Sequence, residues 1–400
     1  MTSPFECPDQ LPKCFRFGSA VLALFLFPAM PAASAGDAKI VLVRTPDGGI
    51  QPQAAMDARG AVHLIYFKGN QGGGDIFYAR REPGGAGFSK PIPVNHQPGS
   101  AIATGTIRGA QLAVGKNGRV HVSWMGGSGA TRATVNGKEI TPMLYTRLND
   151  AGTAFESERN LITWAPGLDG GGAVAADLEG NVYVAWHGSP PGNERGEAGR
   201  AVFLARSRNE GRTFEREIRA NPKPTGACGC CGMKAFADSK GTLYLAYRAA
   251  NETSRDMTLL VSRDRGATFE LTTINKWMIK GCPMSSSSFA EGSLGVGVAT
   301  EQNEQVYFNL IDPATLTLSK PVSKPGGEKC KHPALAANRN GELLLAWTEG
   351  TGWQKGGALA WQIFDKAGKP TAEKGRTDGV PVWGLAASFA EPDGHFVIVY

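Results

Sequence analysis

A pattern of alternating hydrophobic positions recurs seven times along the 400-residue chain. Each copy starts with a glycine and continues with apolar residues at every second position, and six of the seven copies end in an aromatic residue. The copies span residues 60–66, 118–124, 180–186, 241–247, 292–298, 341–347 and 394–400. A period of two places the alternate residues on one face of a β-strand. The positions between them are also mostly small or apolar, as at Ala185 and Ala346, so each strand is predicted to be covered on both faces.

The spacing of the copies predicts the architecture. Their opening glycines are 49 to 62 residues apart, which is close to the length of a four-stranded propeller blade. Blades of a propeller pack sheet against sheet on both sides, whereas a simple sandwich would leave one face polar. Asp or Asn opens a turn before several of the glycines, as in residues 57–60 and 177–180. We therefore predict an all-β fold, a β-propeller of seven four-stranded blades, and expect residues 39–44 to supply the strand that closes the last blade.

Two segments carry a Ser-x-Asp/Asn-x-Gly-x-x-aromatic motif, residues 207–214 and 262–269, and a degraded copy spans 146–155. The Asp264 and Asn209 side chains are expected to accept backbone N–H bonds across hairpin turns. With these motifs the chain resembles the sialidase-like, Asp-box (BNR-repeat) propellers. The resemblance covers most of the chain in architecture and only these two motifs in detail. Because sialidases have six blades, a six-bladed ring is the alternative to seven.

The resemblance to sialidases implies a specific set of catalytic residues. Sialidases hold a substrate carboxylate with three arginines and use a tyrosine nucleophile together with acidic residues. At the position of their first arginine the first blade has Ile50, and only Arg108 in the second blade matches in type. Ordinary sialidase chemistry is therefore not expected, and whether the protein is an enzyme stays open. One hypothesis is a sialidase-like glycoside hydrolase or carbohydrate-binding protein with an altered catalytic set that includes Arg108. The loop carboxylates Asp169, Glu194 and Glu197 could border a cleft.

The N-terminal segment has the features of a secretory signal peptide, which we predict to span residues 1–35. Basic residues precede an apolar run at residues 20–27, and Ala33-Ser34-Ala35 matches a small-residue cleavage site. The apolar run is too short to span a bilayer, and no later stretch is apolar enough to do so. Residues 36–400 are expected to form a single propeller domain that is periplasmic or secreted.

Charge excludes one class of partner. The net charge of +6 is modest, and the 42 Lys and Arg residues are scattered rather than clustered, so nucleic-acid binding is not expected. A metal ion or a glycan is the expected ligand, and the oligomeric state is left open.

Cysteine, methionine and histidine recur at related positions in three consecutive copies. The cysteines beyond the predicted signal peptide are Cys228, Cys230, Cys231, Cys282 and Cys330. Cys231 and Cys282 each lie ten residues before their glycine, and Cys330 lies one residue off the equivalent point. The residues two positions after these three cysteines are Met233, Met284 and His332. Period-two spacing predicts that each such pair lies on one side of an extended strand, at one end of the central channel.

Three interpretations of this set remain open. Thiolate, thioether and imidazole ligands together suit a soft ion, above all copper(I), whereas zinc makes little use of methionine. The first hypothesis is an exported binding protein that holds copper or another soft metal. Its candidate ligands are Cys228, Cys230, Cys231, Met233, Cys282, Met284, Cys330 and His332. The second is two structural disulfides and one spare thiol, with the methionines as packing residues. The third is redox-active sulfur.

Overall fold

The computed structural model describes residues 39–189, 192, 196–323 and 329–400. The predicted signal peptide (residues 1–35) and Glu194 lie outside the described residues. All that follows concerns these described residues. The described part contains no helix that is long and apolar enough to cross a membrane.

The strands form seven blades around a ring. In chain order, β1 (Ile40–Val43) precedes blade 1, which comprises β2 (Ile50–Met56), β3 (Val62–Asn70), β4 (Gly73–Arg81) and β5 (Ile92–Pro93). Blade 2 comprises β6 (Gln111–Val114), β7 (Val120–Met125), an inserted hairpin of β8 (Ala133–Val135) and β9 (Lys138–Ile140), and then β10 (Met143–Arg147) and β11 (Arg159–Asn160). Blade 3 comprises β12 (Gly172–Ala176), β13 (Val182–Gly188), β14 (Ala201–Ser207) and β15 (Ile218–Arg219). Blade 4 comprises β16 (Lys234–Ala237), β17 (Leu243–Arg248), β18 (Met257–Ser262) and β19 (Glu270–Asn275).

Blades 5 to 7 complete the ring. Blade 5 comprises β20 (Ser288–Gly292), β21 (Gly295–Gln302), β22 (Gln305–Ile311) and β23 (Val322–Ser323). Blade 6 comprises β24 (Cys330–Ala337), β25 (Leu343–Glu349), β26 (Gly357–Phe364) and β27 (Pro370–Val380), and blade 7 contains β28 (Ala387–Ala390) and β29 (Phe396–Val399). Three short 3-10 turns are the only helical segments among the described residues: Pro46–Gly48, Lys116–Gly118 and Gly196–Gly199.

The first strand of each blade lies on the inside of the ring, where it contacts the first strands of the two neighbouring blades. The ring closes in blade 7, where β1 runs parallel to β29 with Ile40 opposite Phe396 and Val43 opposite Val399. The predicted seven-bladed propeller closed by the N-terminal strand is confirmed, and the six-bladed alternative is wrong. Blade 7 has three described strands, with β29 between β28 and β1.

The hydrophobic core lies between the blades. All seven residues of β13 are buried, and the aromatic residues that end two of the repeats, Trp124 and Trp186, are 0% exposed. Trp124 packs in one cluster with Ile65 of blade 1, and Trp186 packs in another with Met143 of blade 2. Burying an aromatic side chain of this size contributes roughly 1.5–3 kcal/mol. The two covered faces predicted for the repeated strands are thus confirmed.

Side-chain hydrogen bonds hold the predicted turns. Asp57 Oδ1 accepts the backbone N–H groups of Arg59 and Ala61 at 2.9 Å each. The same pair of bonds is made in blades 3, 4 and 6 by Asp177, Asp238 and Asn338. These turns join the first and second strands of their blades, so they set where each second strand begins.

The two Ser-x-Asp/Asn segments form the hairpins between the third and fourth strands of blades 3 and 4. Asp264 Oδ1 accepts the N–H groups of Ala267 and Thr268 at 3.1 and 2.9 Å. Asn209 Oδ1 accepts the N–H of Thr213 at 2.9 Å in the equivalent hairpin. Both side chains therefore make the hydrogen bonds expected across these turns.

Candidate functional site

Two loops meet at one end of the central channel. One loop carries Cys228 to Met233 into β16, and the other carries Cys282 to Ser287 into β20. The Gly232 N–H donates to the Ser285 carbonyl at 2.9 Å. A disulfide joins Cys230 to Cys282, with Cα atoms 6.2 Å apart. The first residues of β6, β16, β20 and β28 line a cavity beside these loops, so the loops lie at the channel mouth.

Three sulfur atoms lie together in the first of these loops. The Sγ atoms of Cys228, Cys230 and Cys231, the cysteine cluster, are all within 4.8 Å of one another. The Cys228 thiol donates to Cys231 Sγ at 3.6 Å and lies 3.1 Å from Cys230 Sγ. Cys228 and Cys231 are thiols, and both are essentially inaccessible to solvent. The cluster is therefore a buried pair of thiols beside a disulfide.

The fully buried Arg248 supplies positive charge next to the cluster. Its guanidinium donates to Ser285 Oγ at 2.9 Å and to the carbonyls of Arg255 and Glu301 at 2.7 and 2.8 Å. Its own carbonyl accepts the Cys228 N–H at 2.9 Å. Because three polar partners and a backbone bond fix its position, Arg248 is a rigid cationic group beside the sulfurs.

The protonation of the two thiols is set by this environment. Burial raises the pKa of Cys231, but the hydrogen bond from Cys228 and the charge of Arg248 outweigh burial and lower that pKa below the usual value of a thiol. The hydrogen bond to Cys231, followed by burial, raises the pKa of Cys228. The pair therefore favours a thiolate at Cys231 that accepts the S–H of Cys228.

A buried carboxyl group borders the same site. Glu301 on β21 is 1% exposed, and its Oε2 has no hydrogen-bond partner among the described residues. Burial raises the pKa of Glu301 to about 7, although the charges of Lys331 and Arg248 oppose the shift. No feature of the sequence pattern singled out Arg248 or Glu301, because each lies at the end of an otherwise ordinary apolar strand.

The cysteine, methionine and histidine residues predicted as ligands do not all meet. Met233 packs into the hydrophobic core between blades 3 and 4, in a different cluster from the cysteines. Cys330 is buried between blades 5 and 6, with its Sγ 3.9 Å from Glu349 Oε1. Met284 lines a small cavity together with His332, and His332 Nδ1 is hydrogen-bonded with Ser286 Oγ at 3.2 Å. The cluster brings Cys228, Cys230 and Cys231 together, and the disulfide joins Cys282 to it.

The period-two expectation was wrong for a local backbone reason. β16 begins at Lys234 and β20 at Ser288, so the cysteine–methionine segments lie in irregular loops before these strands. Met284 has a φ of 47°, in the left-handed region. Strand β24 does extend over Cys330 and His332, but its pairing slips between Lys331 and Ala334 and His332 has a φ of 51°. Alternation of side chains requires regular extended backbone, which these segments lack.

Arg108, the candidate catalytic residue, belongs to a network of charges beside the cluster. Its NH2 lies 3.0 Å from Asp169 Oδ1, and Arg200 approaches Asp169 Oδ2 at 3.4 Å. Glu197 accepts the Gly229 N–H at 2.7 Å and lies 3.3 Å from Arg255 NH2. Sequence spacing did not identify Arg200 and Arg255, because these two arginines lie on loops between different pairs of strands. Asp169 and Glu197 lie near the loop of the cysteine cluster: Asp169 contacts Arg200, and Glu197 accepts the Gly229 N–H of that loop.

His187 on β13 is a further buried polar group near the network. It is 0% exposed, and neither ring nitrogen has a hydrogen-bond partner among the described residues. A side chain at Gly170 would lie 3.0 Å from His187 Nδ1 and 2.4 Å from the Gly229 carbonyl, so only glycine fits between them. Burial lowers the pKa of His187 to about 4, which keeps the ring neutral near pH 7.

Three kinds of chemistry are accessible to this arrangement. A buried thiolate–thiol pair can bind a soft metal ion with release of the shared proton. The same pair lies beside a disulfide and can exchange with it. The arginines around Asp169 can contact an anionic group.

Comparison with known proteins identifies the fold. No protein-family model and no curated protein matches the sequence. A protein of unknown function from Dyadobacter fermentans DSM 18053 gives a TM-score of 0.54 at 12% identity, over 81% of this chain and 96% of that one. The α-L-arabinanase of Penicillium chrysogenum, complexed with arabinobiose, gives 0.52 at 11% identity over 81% and 95%. The NanB sialidase of Streptococcus pneumoniae gives 0.50 at 10% identity over 77% and 67%. At these identities the chain is similar to propeller glycoside hydrolases in fold alone.

Proposed function

We propose that this protein is an extracytoplasmic binding protein that holds a soft metal ion, copper(I) above all, at the cysteine cluster. The observation that carries the proposal is the 3.6 Å separation of the buried Cys228 and Cys231 sulfurs. On tetrahedral zinc, with metal–sulfur bonds of about 2.3 Å, two thiolates lie about 3.8 Å apart, so the observed separation is in the range that one metal ion spans. An ion could therefore bridge the pair with little movement of the loop.

The donor set and the charge favour copper(I) over zinc. Two thiolates around copper(I) carry a net charge of −1, whereas two thiolates around zinc are neutral. The guanidinium of Arg248 is buried beside the cluster, and its positive charge can balance the net negative charge of the copper(I) site. Soft thiolate ligands also select copper(I) by their chemistry.

The proposed ligand set is narrower than the set predicted from sequence. It comprises Cys228 and Cys231, and Cys230 and Cys282 become available when their disulfide is reduced. The disulfide supports an oxidising compartment, in agreement with the predicted signal peptide.

Anaerobic copper(I) loading of purified protein tests the proposal. We expect about one bound copper per chain by elemental analysis, and loss of that copper in Cys228→Ser and Cys231→Ser variants. Cys330→Ser is the matched control, because Cys330 is buried elsewhere, between blades 5 and 6, and this variant should load like the wild type. Wild-type protein that carries no copper, or serine variants that load normally, would rule the proposal out.

The second candidate function is recognition of an acidic carbohydrate by Arg108 and Arg200. Both arginines contact Asp169 and keep 20% and 18% of their side chains exposed, so an anionic group could reach them. Two proteins with a similar fold, an arabinanase and a sialidase, act on glycans by name, which is consistent with a glycan ligand here. Sialyllactose binding, measured by calorimetry on wild type and on Arg108→Gln, tests this candidate. Arg132→Gln, which lies on the exposed inserted-hairpin loop, is the control. Absence of binding and of sugar release excludes this candidate for sialosides.

A further inference from the structure

A second polar site lies in the channel itself, next to the cysteine cluster. A cavity of about 110 Å³ is lined by the inner strands of six blades and the loops before them. Its polar side chains include Gln53, Gln111, Lys234, Ser287 and His332. Among the described residues that line it, none is Asp or Glu. The cavity therefore combines a cation with neutral polar groups.

Lys234 is the only cationic residue among those that line the cavity in the described structure. Its Nζ donates to Gln53 Oε1 and to Gln111 Oε1, at 2.8 Å each. Both acceptors are neutral amides, and an ammonium group has three N–H donors. One donor and the full positive charge of Lys234 are thus left without an anionic partner in the described residues.

The neighbouring groups are mainly donors. Because a lysine can only donate, the oxygens of both glutamines must face Nζ, which leaves their amide nitrogens as donors. Ser287 Oγ is buried, at 7% exposure for the residue, and has no hydrogen-bond partner among the described residues. The His332 ring, whose pKa is lowered by burial to about 3, is a neutral group at the same wall.

An uncompensated ammonium in such a cavity is energetically unfavourable, and an anion with several acceptor oxygens would remove the imbalance. We infer that the channel cavity binds a small oxyanion, with Lys234 as its charged partner and Gln53, Gln111 and Ser287 as hydrogen-bond donors. A cavity of this volume holds several water-sized groups, which suits one tetrahedral oxyanion or one carboxylate group. This site is distinct from the metal ligands and does not depend on the proposed metal function.

Calorimetric titration of metal-free protein with inorganic phosphate tests the inference, with sulfate and acetate as parallel probes. We expect saturable binding of at least one of the three and a higher Tm in its presence. The Lys234→Met variant should bind at least tenfold more weakly and lose the anion-induced rise in Tm. Lys355→Met is the matched control, because Lys355 lines the adjacent smaller cavity and is exposed.

A second variant protects the test against a folding defect. Ser287→Ala removes one donor and no charge, and it should weaken binding severalfold while the protein remains folded. Wild-type protein that binds none of the three anions overturns the inference. So does a Lys234→Met variant that binds the anion as tightly as wild type does. Neither outcome bears on copper(I) loading, so the two proposals fail separately.

Discussion

The Cys228 Sγ lies 3.1 Å from the Sγ of Cys230, which is itself joined to Cys282. A thiol is therefore in contact with a disulfide at the channel mouth, and the number of thiolates at this point depends on the oxidation state of that disulfide. Two thiolates are available in the oxidised protein and four in the reduced protein. The ligand count of the proposed metal site is thus coupled to redox conditions.

Reduction of the disulfide is expected to tighten copper(I) binding roughly tenfold or more, because two thiolates join the site. Competition with a copper(I) chelator, with and without reductant, measures the change. The Cys230→Ser/Cys282→Ser double variant keeps Cys228 and Cys231 and should show no response to reductant. A double variant that responds as the wild type does would assign the effect to other groups.

Arg248→Met is expected to lower the free energy of unfolding by about 3–5 kcal/mol, because it leaves buried partners of the guanidinium unpaired. The affected groups are Ser285 Oγ and the carbonyls of Arg255 and Glu301. Denaturant unfolding measures the loss. Arg263→Met, at an exposed hairpin position, should cost less than about 1 kcal/mol. Equal losses for the two variants would contradict the structural role of Arg248.

Asp264→Ala is expected to lower the free energy of unfolding by about 1 kcal/mol at pH 7, through loss of the hairpin hydrogen bonds. Burial raises the pKa of Asp264, but bonds from Thr268, Ser262 and Ala267 outweigh it and lower the pKa to about 2, from an ordinary value of 3.8. A carboxyl group with a depressed folded-state pKa stabilises fully above its unfolded value and loses that contribution as pH falls towards the folded value. The penalty of Asp264→Ala should therefore shrink between pH 4 and pH 2.

Asn209→Ala provides the control for this pH dependence, because Asn209 accepts the equivalent N–H bond without a titrating group. Its penalty should stay constant over the same pH range. Urea unfolding at several pH values compares the two variants. A penalty for Asp264→Ala that does not change with pH would show that the ionised carboxylate is not what stabilises the hairpin.

Removal of residues 1–44 is expected to open the ring, because it deletes β1 and exposes the edge of β29. Edge strands with unpaired backbone groups favour association between chains. We expect a lower Tm and a shift to larger species in light scattering. A chain that begins at residue 39 keeps β1 and should behave as a folded propeller. A monodisperse truncation at 44 with an unchanged Tm would show that β1 is dispensable for closure.

The repeat architecture could be predicted from sequence because its signals are local. Alternating apolar residues, Asp- or Asn-led turns and a spacing of 49 to 62 residues each depend on a few neighbouring positions. The prediction that residues 39–44 close the ring also followed from sequence, by counting the strands available to each blade. That β1 would run parallel to β29 did not follow, because strand direction depends on how the chain reaches the blade.

The candidate site was predictable only in part. Cys228, Cys230 and Cys231 lie within four residues of one another, so a single loop is enough to bring their sulfur atoms together. The inclusion of Met284, Cys330 and the histidine at 332 assumed regular strands, and left-handed residues and a slip in pairing broke that assumption.

The sequence by itself determined a seven-repeat propeller and a group of sulfur-bearing residues before the fourth and fifth inner strands. Tertiary structure alone decided that Cys230 joins Cys282 and that Cys228 and Cys231 lie next to Arg248. It also decided that Lys234 meets two glutamines from other blades in the channel. The reason is physical: a strand's periodicity is encoded in adjacent residues, whereas a site is made by side chains whose distances depend on how distant loops and blades pack together.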